Sequence, residues 1–187
     1  MAQILILYAS DYGNTEKMAK ATAEGVNSVA GAKAVVKRTE EATAEDMTAS
    51  DGVIVGTPVH MGCMDWRVKK FIDTVCSGLW MQNKMNGRVA GVFTSGSGFG
   101  GAGGGTEIAM LSVLSNFAEL GMLIVPLPKN TENYKKGGLQ WGTYGRSADE
   151  DMNHVGVSEE ALGVARKHGA NIARAAALLK GKTVFIP

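Results

Sequence analysis

Cysteine is scarce: Cys63 and Cys76 are the only two in 187 residues, with no second pair. That excludes a disulfide framework and the paired spacing of a structural zinc site. The three histidines, His60, His154 and His168, fall into no ligand pattern, and no metal is expected. Charge excess is missing too. Nineteen Lys and Arg against eighteen Asp and Glu leave a net +1. There is then no electrostatic case for nucleic acid or a membrane surface as a partner, nor for a strongly acidic docking face. No apolar run reaches membrane-spanning length. No leader-like stretch precedes the first apolar run, which sets the expectation of a cytoplasmic protein. Glycine is abundant, with 25 residues, and much of the excess lies in Gly96 to Gly105. The length suits one domain over 1–187 with a full core.

Short apolar runs alternate with helical spacing along the chain. Strands are predicted at Ile4 to Tyr8, Ala34 to Lys37, Asp51 to Gly56, Val89 to Phe93 and Leu123 to Val125. Met18, Thr22, Val26 and Val29 form one helical stripe, and Val68, Phe71, Ile72 and Val75 another. Further helices are predicted over about 107–120, ending at Gly121, and over 159–179, starting at Ser158. A short helix is placed near Ala44 to Met47. The stretch 127–157 has little periodicity, and Thr183 to Ile186 reads as a short strand or a surface tail. Wholly apolar strands between amphipathic helices imply an α/β, three-layer, doubly wound parallel sheet of five strands. Ligands in such sheets bind beyond the carboxyl ends of the strands. The loops there are Ser10 to Thr15, Thr57 to Met64 and Thr94 to Gly105.

The first of these joins a buried strand to a helix start through Ala9-Ser10-Asp11-Tyr12-Gly13-Asn14-Thr15. First-turn amides lack intrahelical partners, and the helix dipole favours an anion there. Ser10, Asn14 and Thr15 add short donors. The turn lacks the Lys-Ser/Thr of a P-loop and the three glycines of a dinucleotide fold. A mononucleotide phosphate fits it; a plain turn capped by Thr15 is the other reading. Gly96-Ser97-Gly98-Phe99-Gly100-Gly101 matches G-x-G-x-x-G, but it follows the fourth strand, and so glycine-rich a run meets the pattern by chance.

Taken together the loops resemble the flavodoxin-like proteins, and more narrowly the WrbA-type NAD(P)H:quinone oxidoreductases. The resemblance rests on Tyr8 to Thr15 with Met18-Ala19, Gly56-Thr57-Pro58-Val59-His60-Met61-Gly62-Cys63-Met64, Gly78-Leu79-Trp80, Phe93-Thr94-Ser95-Gly96, Gly121 to Pro126 and Tyr144-Gly145. It implies a flavodoxin-like fold with strand order 2-1-3-4-5 and FMN as cofactor. Ser10, Asp11, Tyr12, Gly13, Asn14 and Thr15 would take its phosphate, with the Asp11 carboxylate turned outward. Pro58, Val59, His60, Met61, Gly62 and Cys63 would run along the ring. Thr94, Ser95, Gly96, Ser97, Gly98 and Gly101 would cover the pyrimidine edge and ribityl chain. Trp80, Tyr12 and Tyr144 would border the place where nicotinamide or quinone stacks. The implied activity is two-electron transfer from NAD(P)H to a small-molecule quinone, with the flavin and no side-chain acid or base doing the chemistry. The alternative is a flavodoxin-type one-electron carrier without such turnover. A homo-oligomer, dimer or tetramer, is also implied. The chain departs from the family at Glu119-Leu120, in the short stretch Thr39 to Ser50, and in the extra residues around Ala102 to Gly105.

Overall fold

The computed structural model describes residues 1–98 and 103–185. Phe99 and Gly101 of the predicted ring loop therefore lie outside the described residues, as does Ile186 of the tail.

The first apolar run forms β1 (Ala2–Tyr8), followed by α1 (Asn14–Asn27), β2 (Ala32–Arg38), α2 (Ala44–Thr48) and β3 (Gly52–His60). A two-residue strand β4 (Cys63–Met64) precedes α3 (Trp66–Phe71). A wider π turn over Ile72–Cys76 leads into α4 (Ser77–Met81). That turn shifts the helical phase, leaving Ile72 and Val75 only partly covered while Val68 and Phe71 are buried. Then come β5 (Val89–Gly96), α5 (Thr106–Glu119), β6 (Leu123–Ile124), α6 (Tyr134–Gly137), β7 (Gly138–Leu139), β8 (Gly142–Arg146) and α7 (Glu159–Leu179). The predicted capping of α7 is present: Ser158 Oγ accepts from the Ala161 amide.

The sheet runs β2-β1-β3-β5, with all these neighbours parallel. Its two faces are both covered, which is why the strands are apolar throughout. Leu5, Leu7, Val53, Val55, Ala90 and Val92 pack with Met110, Val113 and Phe117 of α5 and with α3. The alternate residues Ile4, Ile6, Ile54 and Phe93 pack with Met18 and Val26 of α1 and Ala165 and Ile172 of α7. Side chains of a strand point alternately to opposite faces, and one continuous run thus builds both cores.

The α/β flavodoxin-like fold is present, but the fifth strand position is divided. β6 pairs only with Val89 and Ala90 at the start of β5. Pro126, without an N–H to donate, follows shortly. The chain leaves and returns as β8, which pairs in parallel with Phe93 to Gly96 at the other end of β5. The predicted strand Leu123 to Val125 thus supplies the lower half alone. The half nearest the strand ends comes from a segment that shows no strand periodicity.

Candidate functional site

A cleft of about 130 Å³ opens at the carboxyl ends of β1, β3 and β5, lined by Ser10, Asn14, Thr15, Pro58, Val59, His60, Ser95 to Ser97, Ser147 and His154, with Asp11 and Tyr12 at its edge. Its floor is the start of α1. Gly13 is the N-cap, in the left-handed region at φ 79°, and has no side chain with which to cap the helix. Thr15, read as a possible cap, instead turns inward: its hydroxyl lies 2.8 Å from Ser95 Oγ, with both groups buried. The first return bond of the helix runs from the Lys17 amide to the Gly13 carbonyl at 3.0 Å. The Glu16 amide makes a long contact of 3.4 Å with Ser10 Oγ. Uncapped amides and small hydroxyls facing one opening form an anion cradle. Arg38 closes one side, donating to the Ser10 carbonyl at 3.2 Å and lying over the Tyr8 ring.

The Asp11 carboxylate is taken by Arg67, at 2.8 Å. Arg67 also donates twice to Asp65, through Nε and Nη2 at 2.8 and 2.7 Å. The Asp65 side chain is fully buried and caps α3 through the Arg67 amide. Burial pushes its carboxyl up, but the Arg67 bonds outweigh this and hold it below the ordinary value. His60 faces both acids, 3.1 Å from Asp65 and 3.6 Å from Asp11. Asp11, His60 and Asp65 stand close enough to share a metal ion. The Arg67 guanidinium already supplies the cation between the two carboxylates. This network ties the loop after β1 to the loop after β3.

The second predicted loop is a hairpin. His60 pairs with Cys63 in antiparallel fashion, and Met61 and Gly62 make the two-residue turn at φ 48° and 79°, both positive as such a turn requires. Pro58, Val59 and His60 reach the cleft; Met61, Gly62 and Cys63 do not, because they form the projecting tip. Met61 is fully exposed. Cys63 lines a separate open groove of about 1100 Å³ between α3 and α5, with Trp66, Ile108 and Leu111. The tip meets Gly105 backbone to backbone: a Cβ on Gly105 would stand 2.4 Å from Gly62 Cα.

In the third loop Ser95, Gly96 and Ser97 line the cleft. Thr94 is buried, and its hydroxyl has no partner among the described residues. Gly98, at φ 69°, runs under the Tyr144 hydroxyl. Tyr144 does not border the cleft. It stands behind the loop, donating to the Gly96 carbonyl at 3.2 Å and facing a second cavity of about 620 Å³. Burial raises its phenol pKa. Arg146 grips the same loop through the Ser97 carbonyl.

Trp80 is a correction. It sits at the far end of the helical stretch begun by Trp66, roughly 20 Å along the axis at 1.5 Å per residue. The next bonds tie it to the turn that starts β5: Asn83 donates to its carbonyl and Lys84 to that of Leu79. It therefore lies toward the amino ends of the strands, away from the carboxyl-end cleft. Tyr12 is mostly exposed and stacks on His154, ring centroids 6.0 Å apart. Sequence reasoning missed Arg67, Ser147 and His154. An acid before an apolar helix, Asp65-Trp66, is a capping signal for the first; the aperiodic stretch around the other two carried none.

Residues 5–96 match the flavodoxin domain family model. A curated flavodoxin of Aquifex aeolicus is 40% identical over 124 residues, 66% of this chain and 64% of that protein. The match thus spans under two thirds of that relative's length. The flavodoxin, WrbA-like protein of Agrobacterium tumefaciens superposes with a TM-score of 0.73 at 26% identity, over 96% of this chain and all of the other. A flavodoxin from the domain Archaea superposes at 0.68 with 18% identity, over 94% of this chain and 99% of that one. No helix among the described residues is long and apolar enough to cross a membrane. By its sheet, its cleft and these likenesses, the chain carries a flavodoxin-like domain.

Proposed function

We propose that the chain binds FMN at the carboxyl-end cleft and serves as a flavodoxin-type electron carrier. The observation that carries the cofactor is the uncapped start of α1, with Ser10 and Thr15 buried around it. A phosphate monoester would supply acceptors to the first-turn amides that make no bond within the helix. The residues fit: Ser10, Asn14 and Thr15 would hold the phosphate, Ser95 to Ser97 the ribityl chain, and Pro58 to His60 the near side of the ring. When bound, FMN supplies the redox chemistry. The chain's own residues position it. Arg67 keeps the Asp11 carboxylate engaged beside the cradle, and Tyr144 and Arg146 hold the loop backbone from behind.

The likeness to a curated flavodoxin supports the carrier reading. So does an apolar surface beyond the cleft: Met61 is exposed on the hairpin tip, and exposed Trp66 and Ile108 line the groove between α3 and α5, a surface for a macromolecular redox partner. A second reading is NAD(P)H:quinone oxidoreduction, favoured by the likeness to the WrbA-like structure; it loses Trp80 as a same-chain stacking residue. Titrating the purified protein with FMN, followed by loss of flavin fluorescence, tests the cofactor. A protein that leaves that fluorescence unchanged at micromolar concentration ends the proposal. Reductive titration then separates the readings. Two resolved one-electron steps without NAD(P)H:benzoquinone turnover indicate the carrier, and rapid turnover with either nicotinamide indicates the reductase.

A further inference from the structure

The segment after β8 crosses the mouth of the cradle and is pinned there. The Ser147 amide donates to the Gly96 carbonyl at 2.9 Å, and the amides of Val155 and Gly156 both return to the Ser147 carbonyl at 3.1 Å. Ala148 and His154 form an antiparallel bridge. Between them the Asp149 carboxylate accepts from the amides of Asp151 and Asn153 and from the Asn153 side chain. Gly156 passes beside Asn14, whose Oδ1 would lie 3.8 Å from a Cβ built there. The result is a closed, hydrogen-bonded loop that presents one imidazole, His154, to the cleft that holds Ser10, Asn14 and Thr15. The Tyr12 ring, inclined at 23° to it, stacks on the imidazole.

We propose that His154 is a phosphate ligand of this site, donating to the phosphate monoester of the cofactor when protonated. The inference rests on the FMN reading. The cradle otherwise consists of neutral amides and hydroxyls. Of its nearby full cations, Arg38 is engaged with a carbonyl and Arg67 with Asp65 and Asp11, while Lys17 Nζ stands beside Gly156 and lines no part of the cleft. The other titratable or charged groups around His154 are Tyr12 and Asp11 on the loop after β1, Lys17 on α1, His60 at the end of β3, and Arg146, Asp149, Glu150 and Asp151 on its own stretch. The carboxylates of Asp11 and Asp149 are already bonded to Arg67 and to the loop amides, leaving the imidazole free to face the ligand. An imidazolium beside a phosphate dianion makes a charge-assisted hydrogen bond that neutral imidazole does not.

The test compares the unmodified protein with His154→Gln and His154→Lys by fluorescence titration at about pH 6 and about pH 8.5. FMN is one probe and riboflavin, which lacks the phosphate, the other. Taking the variant-to-parent ratio at each pH cancels the phosphate's own titration. His154→Gln is expected to raise the FMN Kd about tenfold at the lower pH and less than twofold at the higher. Riboflavin affinity stays unchanged, and His154→Lys binds FMN tightly at both. A Gln variant with equal FMN ratios at both pH values, or equal losses for FMN and riboflavin, overturns the proposal. Failure of the unmodified protein to bind FMN at all overturns the cofactor reading instead, and is distinguishable for that reason.

Discussion

Thr15 Oγ1 and Ser95 Oγ meet at 2.8 Å, joining the first turn of α1 to the end of β5 across 80 residues of sequence. Both side chains are buried, so removing either hydroxyl strands the other without solvent. Thr15→Val is expected to cost about 1–3 kcal/mol in urea unfolding. Ser95→Ala should cost a similar amount, and the double variant less than the sum, since the orphan is then gone. Strict additivity would show that the two hydroxyls do not interact.

The two helices on one face of the sheet approach through glycine. A Cβ on Gly25 would stand 1.8 Å from the Arg166 carbonyl oxygen, and one on Gly169 2.3 Å from that of Thr22. Gly25→Ala and Gly169→Ala are each expected to destabilise by about 1–3 kcal/mol through overpacking against backbone. Gly163, also on α7, has open space around it. Gly163→Ala should stabilise by about 0.5–1 kcal/mol from helix propensity alone. Thermal unfolding of the three variants checks both signs at once.

His168 is buried on α7, its Nε2 3.1 Å from the Val125 carbonyl. Burial pushes its pKa down from the ordinary 6.5 to about 4, against the smaller upward pull of that bond. The unfolded chain therefore binds the proton first as pH falls. The contribution is fully present above about pH 6.5 and is lost as pH drops toward 4, by at most about 3 kcal/mol. His168→Gln should flatten this part of the stability–pH curve measured by urea unfolding. An unchanged slope between pH 6.5 and 4 would assign it to other groups.

Arg67 bonds two acids, one of them fully buried. Arg67→Met leaves Asp65 with its α3 capping bond but without its cation. We expect a loss of about 2 kcal/mol in stability, and a protonation of Asp65 at higher pH than in the parent, read by carboxyl NMR titration. Asp65→Asn on top of Arg67→Met should recover part of the loss. No recovery would mean that the guanidinium acts by packing alone.

Much of this was legible in advance, for a physical reason. β1, β3 and β5 are covered on both faces, so each is a continuous apolar run, and Leu5 and Ile6 serve opposite cores. β8 pairs over only four residues, and Gly142 and Gly145 interrupt the apolar run that would mark a strand. The hairpin at His60 to Cys63 was hidden because its turn is set by the positive φ of Met61, a residue with no special turn propensity. Trp80 was placed by likeness of motif, whereas helix rise decides where it stands. The Tyr12–His154 pair joins two irregular segments, and contacts of that kind leave no periodic trace.

The divided fifth strand also has a bearing on biosynthesis. β6 finishes the lower edge early, but the upper edge, and with it Ser147 and His154, waits for residues made after nearly everything except α7. A nascent chain emerging from the ribosome can pair β1, β2, β3 and β5 while the cradle still lacks its outer wall. Under the FMN reading, cofactor capture is thereby deferred until β8 and the segment carrying Ser147 and His154 have emerged.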